Sequence, residues 1–277
     1  MNSAVKKIGF AITITILLTS CSTYFGYDGR RGVSSSLVDY LYPNGEVPPK
    51  HEEIKPHLQL PLNVGLAFVP SDITSSLSLP ESKKSELLEE VKSKFVELEY
   101  VKDITVIPET YLRSSKGFKG VEQIARLYGL DIIALVSYDQ VAITAETKSS
   151  VMYWTIVGAY FIKGNQNQVT TFVDTAIFDV HSKKMLFRAP GVSDTQKAST
   201  LVEVRQASRS ARTEGFELAM ANMSDNLAIE LDKFKEKIKN DNSVQLSHRE
   251  GYGGGGAIQW PFLLVLSGLL AIRLFRK

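Results

Sequence analysis

The chain has 277 residues, 44% of them hydrophobic and 22% charged, with a formal net charge of +2. This is the composition of a chain able to bury a core. The near balance of 32 Lys+Arg against 30 Asp+Glu excludes the strongly basic footprint that nucleic-acid binding calls for. The single cysteine, Cys21, excludes an internal disulfide, so the fold rests on its core.

The chain opens with a basic n-region at Lys6 and Lys7, an apolar h-region over 8–18 and small residues after it. That is the layout of a secretory signal peptide, assigned here to residues 1–20. A buried cysteine in an N-terminal helix is the plainer alternative for Cys21. The stretch Leu18-Thr19-Ser20-Cys21 resembles the bacterial lipobox. The resemblance implies that the Cys21 sulfur takes a diacylglycerol thioether, that lipoprotein signal peptidase cuts before it, and that the new amino group is acylated. Stable anchoring takes more than one acyl chain, and a triacylated cysteine meets that condition. Ser22, in place of an Asp that would retain the protein in the inner membrane, implies the outer membrane or the cell surface of a Gram-negative envelope.

Residues 21–60 are rich in Gly, Ser, Pro and Tyr and read as a tether. HEEIKPH holds His51 and His57, but a zinc-protease helix would need its second histidine at Lys55, and Pro56 breaks such a helix. These read as solvated histidines, with no metal site.

Residues 61–240 read as one α+β domain. LNVGLAFVP predicts a core strand ended by Pro70. Residues 80–100 predict a helix with Leu87, Leu88, Val91, Phe95 and Leu98 on one face. DITVIP predicts a second strand. Residues 120–129 predict a short helix with Ile124, Leu127 and Tyr128 inward. LDIIALVSYDQVAITA predicts a long strand, continuous in its first half like a buried one. Residues 146–150 predict a turn, VMYWTIVGAYFI a strand, and GNQNQ a turn. VTTFVDTAIFDV alternates cleanly, HSKK turns, and MLFRAPG predicts the strand that ends the sheet. A long helix then covers about 199–239, with Phe216, Met220, Met223, Leu227, Leu231, Phe234 and Ile238 as its core stripe. The order β-α-β-α-β-β-β-β-α predicts one mixed sheet, parallel first and antiparallel later, with helices packed on it. This order, and phrases such as ARLYGLDIIALVSY, are loosely similar to small envelope lipoprotein domains: activators of penicillin-binding proteins, the curli-secretion lipoprotein and the N-terminal domain of TolB.

The body carries no G-x-S-x-G elbow and no P-loop, and GYGGGG neither follows a strand nor opens a dinucleotide unit. No cofactor and no catalytic residue is assigned. His181 falls in the HSKK turn. Asp139, Asp174 and Asp179 are strand carboxylates, and a converging pair would suit an envelope hydrolase. Arg205, Arg209 and Arg212 fall at i, i+4 and i+7, a face able to hold an anionic lipid, glycan or protein partner, or simply a solvated face. VMYWTIVGAYFI has four aromatics and no charge in twelve residues. It reads as a central strand, or as part of a hairpin dipping into a membrane or an oligomer interface.

Residues 241–256 form a linker ending in Gly253, Gly254, Gly255 and Gly256. Residues 257–277 form an uncharged apolar run closed by Arg273, Arg276 and Lys277. As a helix, the sixteen apolar residues reach about 24 Å, short of the roughly 30 Å hydrocarbon core. The basic end would face the cytoplasm. Glycine resists helix and leaves the backbone open to a protease. Glycine run, short apolar stretch and basic end together resemble the GlyGly-CTERM sorting signal, and with the lipobox they resemble the rhombotarget lipoproteins. That resemblance implies a rhombosortase-like intramembrane protease cutting near the glycines; a permanent C-terminal transmembrane anchor is the alternative. Loss of both ends takes five basic and no acidic groups and moves the net charge to −3. The sequence therefore predicts a non-enzymatic, lipid-anchored envelope protein that binds or assembles with an unidentified protein partner. The alternatives are an oligomeric outer-membrane secretion component and an envelope hydrolase.

Overall fold

The structure, a computed structural model, describes residues 29–45, 54–71, 78–146, 163, 165–241 and 243–249. The leader, Cys21, His51, the 147–150 turn, the VMYWTIVGAYFI segment, the glycine run and the C-terminal tail lie outside the described residues. Among the described residues no helix is long and apolar enough to cross a membrane; the predicted transmembrane tail lies beyond them.

The elements in chain order are β1 (Gly29–Ser35), α1 (Leu37–Leu41), a 3-10 turn (Pro43–Gly45), β2 (His57–Leu60), β3 (Leu62–Phe68), α2 (Glu81–Phe95), β4 (Val101–Val106), α3 (Glu109–Ser114), α4 (Gly117–Tyr128), β5 (Ile132–Glu146), β6 (Asn165–Asp179), β7 (Met185–Ser199), α5 (Val204–Asn240) and β8 (Gln245–His248). The main sheet runs β4-β3-β5-β6-β7, with β1 paired to β5. β3 lies parallel to β4 and β5, whereas β5, β6 and β7 are antiparallel. The sheet is therefore mixed in the predicted order.

β5 organises this sheet. One edge pairs with β6 along its whole length. The other is shared end to end: β3 takes 132–136 and β1 takes 138–144. At the handover the buried Ser35 Oγ accepts from Tyr138 N–H at 2.9 Å, so no backbone donor is orphaned there. The predicted tether is thus structural in part. Val33 is buried in the core, and Tyr40 and Leu41 of α1 are buried on the opposite face of the sheet.

Two apolar layers flank the sheet. One face carries α2 and α5 over Leu66, Phe68, Ala134, Val136, Tyr138, Val173 and Ile177. The other carries α1, α3 and α4 over Ala67, Ile133, Leu135, Ala176 and Phe178. At the upper end of β3, Lys84 of α2 and Glu109 of α3 form a buried ion pair. Glu109 also accepts from Arg113 at 2.7 and 2.9 Å, and Lys84 Nζ lies 5.4 Å from the Tyr138 ring centre. Both charges are taken out of water, so each depends on the other to remain buried.

α5 sits close on β6 and β7 through small residues. Ala211, Gly215 and Ala219 recur every fourth position and face the sheet. Ser193 Oγ donates to Gly215 O at 2.6 Å and Thr195 Oγ1 to Ala211 O at 3.0 Å. The predicted stripe holds at Phe216, Met220, Met223 and Leu227, which are buried; Leu231, Phe234 and Ile238 are half-buried. β7 is an edge strand, which invites pairing with other chains. Pro190, tolerated at an edge because no N–H is needed there, and α5 blunt it: Val192 N–H donates to Asn222 Oδ1 at 3.0 Å, and Asn226 donates to Pro190 O at 2.7 Å.

Some predicted boundaries move. Asn165 to Gln168, expected in a turn, open β6, because Asn167 is satisfied within the sheet by Thr144, Lys197 O and Ser199. β7 runs on past the predicted MLFRAPG to Ser199, so α5 begins at Val204. α4 buries Ile124 as predicted, together with Val121 and Ala125, but turns Leu127 outward, 67% exposed, and leaves Tyr128 half-buried. It ends at Gly129, whose φ of 65° suits glycine. Leu98 lies beyond α2, which stops at Phe95.

The helix approaches the sheet closely at Gly191, where an added Cβ would lie 2.5 Å from Met223 Cβ and closer still to Ala219 O. Gly191→Ala should cost about 1–3 kcal/mol in urea unfolding, the range for overpacking a well-filled contact; an unchanged midpoint would contradict this contact.

Candidate functional site

A polar recess of about 430 Å³ lies at the lower end of the sheet, where β5 begins and β6 ends. His57 and Gln59 of β2, Glu122 and Arg126 of α4, Asp131, Asp179 and His181 line it. His57 thus meets Asp179 and His181, which lie far along the chain from it, in one recess. Asp131 joins them and carried no sequence signal, being the polar residue between the α4 cap and a buried strand.

The C-terminal segment is fastened to two residues of this recess, Asp131 and His57. β8 pairs in parallel with β2, with Gln245 N–H donating to Pro56 O and Arg249 N–H to Leu60 O. Arg249 Nη2 donates to both Asp131 oxygens at 2.8 Å, and Asn63 N–H donates to Asp131 Oδ2 at 2.7 Å. Asp179 accepts from Ser182 N–H at 2.8 Å, closing the turn in which Lys183 adopts φ 60°. Lys183 also pairs with Glu122 at 3.1 Å. His57 Nε2 lies 2.8 Å from Ser247 Oγ. Both carboxylates are thus engaged in holding backbone and clip. Among the described residues no cluster of His, Cys, Asp and Glu could hold a metal ion.

The other sequence candidates lie elsewhere. Asp139 is exposed on the face not covered by α5. Asp174 pairs with Arg188 at 3.1 Å; burial raises its carboxyl pKa above the ordinary range, and Arg188 opposes that. Asp179 falls in the recess, so the three strand carboxylates do not form one site. Arg205 and Arg209 are exposed at the start of α5. Arg212 is turned to the sheet, where Nε donates to Gln140 Oε1 at 2.9 Å while Gln140 Nε2 donates to Arg212 O at 2.9 Å. The predicted three-arginine face is therefore two exposed arginines and one structural one.

No family model matches the sequence, and no curated protein matches it. Among solved structures the chain is similar to a proposed neuraminyllactose-binding hemagglutinin homolog from Helicobacter pylori, at 11% identity and TM-score 0.36, covering 70% of this chain and 97% of that one. It is also similar to a PelC dodecamer from Paraburkholderia phytofirmans, at 13% identity and TM-score 0.27, covering 61% and 94%. A third is the lipoprotein GNA1162 from Neisseria meningitidis, at 12% identity and TM-score 0.25, covering 50% and 85%. Similarity at this level assigns no function.

Asp131→Asn should loosen the clip more than the core. Amide exchange at 245–249 is expected to speed up at least tenfold while exchange in β5 and β6 stays near wild type; equal protection of the clip would show that Arg249 does not hold it.

Proposed function

We propose that this chain is a cell-envelope lipoprotein whose two hydrophobic extremities are delivery devices. In this reading Cys21 carries the lipid anchor, a rhomboid-type protease trims the chain at the 253–256 glycines, and the body has a binding or assembly role in the outer envelope. The observation that supports it best is where the body releases its two ends. β1 begins opposite Thr144, whereas Arg249 is tied to Asp131. These points lie at opposite ends of β5, roughly 40 Å apart at the rise of an extended strand.

Seven residues lie between Cys21 and Gly29, and seven between Arg249 and Ala257, eight Cα steps in each case. Each stretch reaches at most about 28 Å. A precursor held by both extremities in one bilayer could not stand upright on it, since a reach of at most about 28 Å is less than the distance between its ends; one held only by lipid is free to stand away. Trimming at the glycines therefore changes how the body can be presented. The clip also ends four residues before Gly253, so a cut there leaves the fold whole.

Intact mass of the protein isolated from its own envelope tests the reading. The expected species begins at an acylated Cys21 and ends within the glycine run. A complete C-terminus in cells that hold the protease would overturn the trimming. A Cys21→Ser variant that stays firmly membrane-held and unchanged in size would overturn the anchor.

A further inference from the structure

At the end of the sheet opposite the polar recess, several stretches of chain meet. Gly29 lies opposite Thr144, Glu146 opposite Asn165, and Asn165 opposite Ser199. The segment that follows Cys21 enters the fold there, and the connection carrying VMYWTIVGAYFI leaves from Glu146 and returns at Asn165. β7 also ends there, at Ser199, and residues 200–203 turn the chain into α5. That turn holds Leu201, 46% exposed, and Val202, 53% exposed. Turns ordinarily carry small polar residues. Among the described residues, these are the one pair of chain neighbours that are both large, hydrophobic and exposed.

Cations stand behind this pair. Arg205 and Arg209 are exposed and lie within about 8 Å of the start of α5 along its axis. Neither is ion-paired among the described residues. Beside them, Lys197 pairs with Glu214 at 2.6 Å, and Lys163 lines a shallow recess with Lys197 and Glu203. Glu203 accepts from Thr200 Oγ1 at 3.0 Å. Lys163, Lys197, Arg205 and Arg209 thus stand against Glu203 and Glu214, four cations to two acids. We infer that this end of the body docks on a bilayer with anionic headgroups, Leu201 and Val202 entering the interface and Arg205 and Arg209 reaching the phosphates. Apolar side chains bury at the acyl boundary, and an anionic surface attracts each basic group near it. The long arginine stems let a charge set back along α5 reach that surface. Where the chain outside the described residues ends favours a bilayer over a second protein. Seven residues lie between Cys21 and Gly29, so a lipid on Cys21 holds this end within about 28 Å of the membrane. The inference rests on the proposed function for that anchor alone.

The test takes the protein isolated from its own envelope into nanodiscs of phosphatidylcholine and phosphatidylglycerol, with a trace of phospholipid carrying a photoreactive diazirine on its acyl chain. Adducts are expected in the peptide holding Leu201 and Val202, at least tenfold above those in the peptide holding His181 at the opposite end. Leu201→Asp should remove most of that labelling. Exchanging phosphatidylglycerol for phosphatidylcholine, or combining Arg205→Gln with Arg209→Gln, should lower it at least fivefold. Equal labelling of the two ends, or none at Leu201 and Val202, would overturn the docking. Labelling indifferent to phosphatidylglycerol and to both arginines would overturn the anionic surface. Labelling that falls as copies per disc increase would assign this end to a second copy of the chain and overturn the bilayer as its partner. Intact mass of the same sample reports acylation at Cys21, so failure of the anchor and failure of the docking are read separately.

Discussion

The structure depends on keeping both edges of one long, buried strand hydrogen-bonded. β5 has fifteen residues, and an unpaired buried backbone group costs about as much as a lost hydrogen bond. β6 serves one edge in a single antiparallel run. No single strand serves the other. β3 arrives in parallel from below and ends at Val136, and β1 arrives antiparallel from above and ends at Tyr138, with the Ser35 hydroxyl at the seam. The N-terminal segment is therefore part of the core sheet, and its loss would expose half an edge of the central strand.

The same arrangement sets the polarity of the molecule. Because β1 enters from the hairpin end and the β2–β8 clip closes the start of β5, the body has an upper exit towards Cys21 and a lower exit towards the glycines. The polar recess and the Arg249–Asp131 bridge belong to the lower end; the buried Lys84–Glu109 pair belongs to the upper half, where α2 and α3 meet over β3. Lys84 and Glu109 are buried as a pair, whereas Asp131 and Arg249 keep partial contact with water. Lys84 and Glu109 come from different helices, and Asp131 and Arg249 lie 118 residues apart.

Much of the sheet was legible because its signals are local. The alternation in VTTFVDTAIFDV puts Val169, Thr171, Val173 and Thr175 under α5 and leaves Phe172 exposed, as a period of two requires. The unbroken IIALV run read as a strand covered on both faces, and it is. What stayed hidden depends on distant partners. GRRGVSS looks like linker because Val33 is its only apolar residue; β5 makes it a strand. Asn165 to Gln168 look like a turn until Thr144, Lys197 and Ser199 satisfy Asn167. The apolar stripe of α5 was visible, but its Ala211, Gly215 and Ala219 contact was not, since small residues carry no hydrophobic signal. Arg212 sits at the same helical spacing as Arg205 and Arg209, and only Gln140 separates its role from theirs. The polar recess gathers side chains from β2, α4 and the ends of β5 and β6, a meeting no linear spacing announces.

The account turns on the two ends of the body being far apart. Spin labels on Gly32→Cys and His248→Cys, in a Cys21→Ser background, measure that separation directly. Gly32 lies opposite Val141 with ordinary room for a side chain, and His248 lies beside Leu60 at the clip. A distance of about 33 Å is expected from the strand rise between the levels of Val141 and Asp131. A distribution centred below about 20 Å, less than six or so residues of extended strand, would mean that both ends leave from one side and would contradict the account.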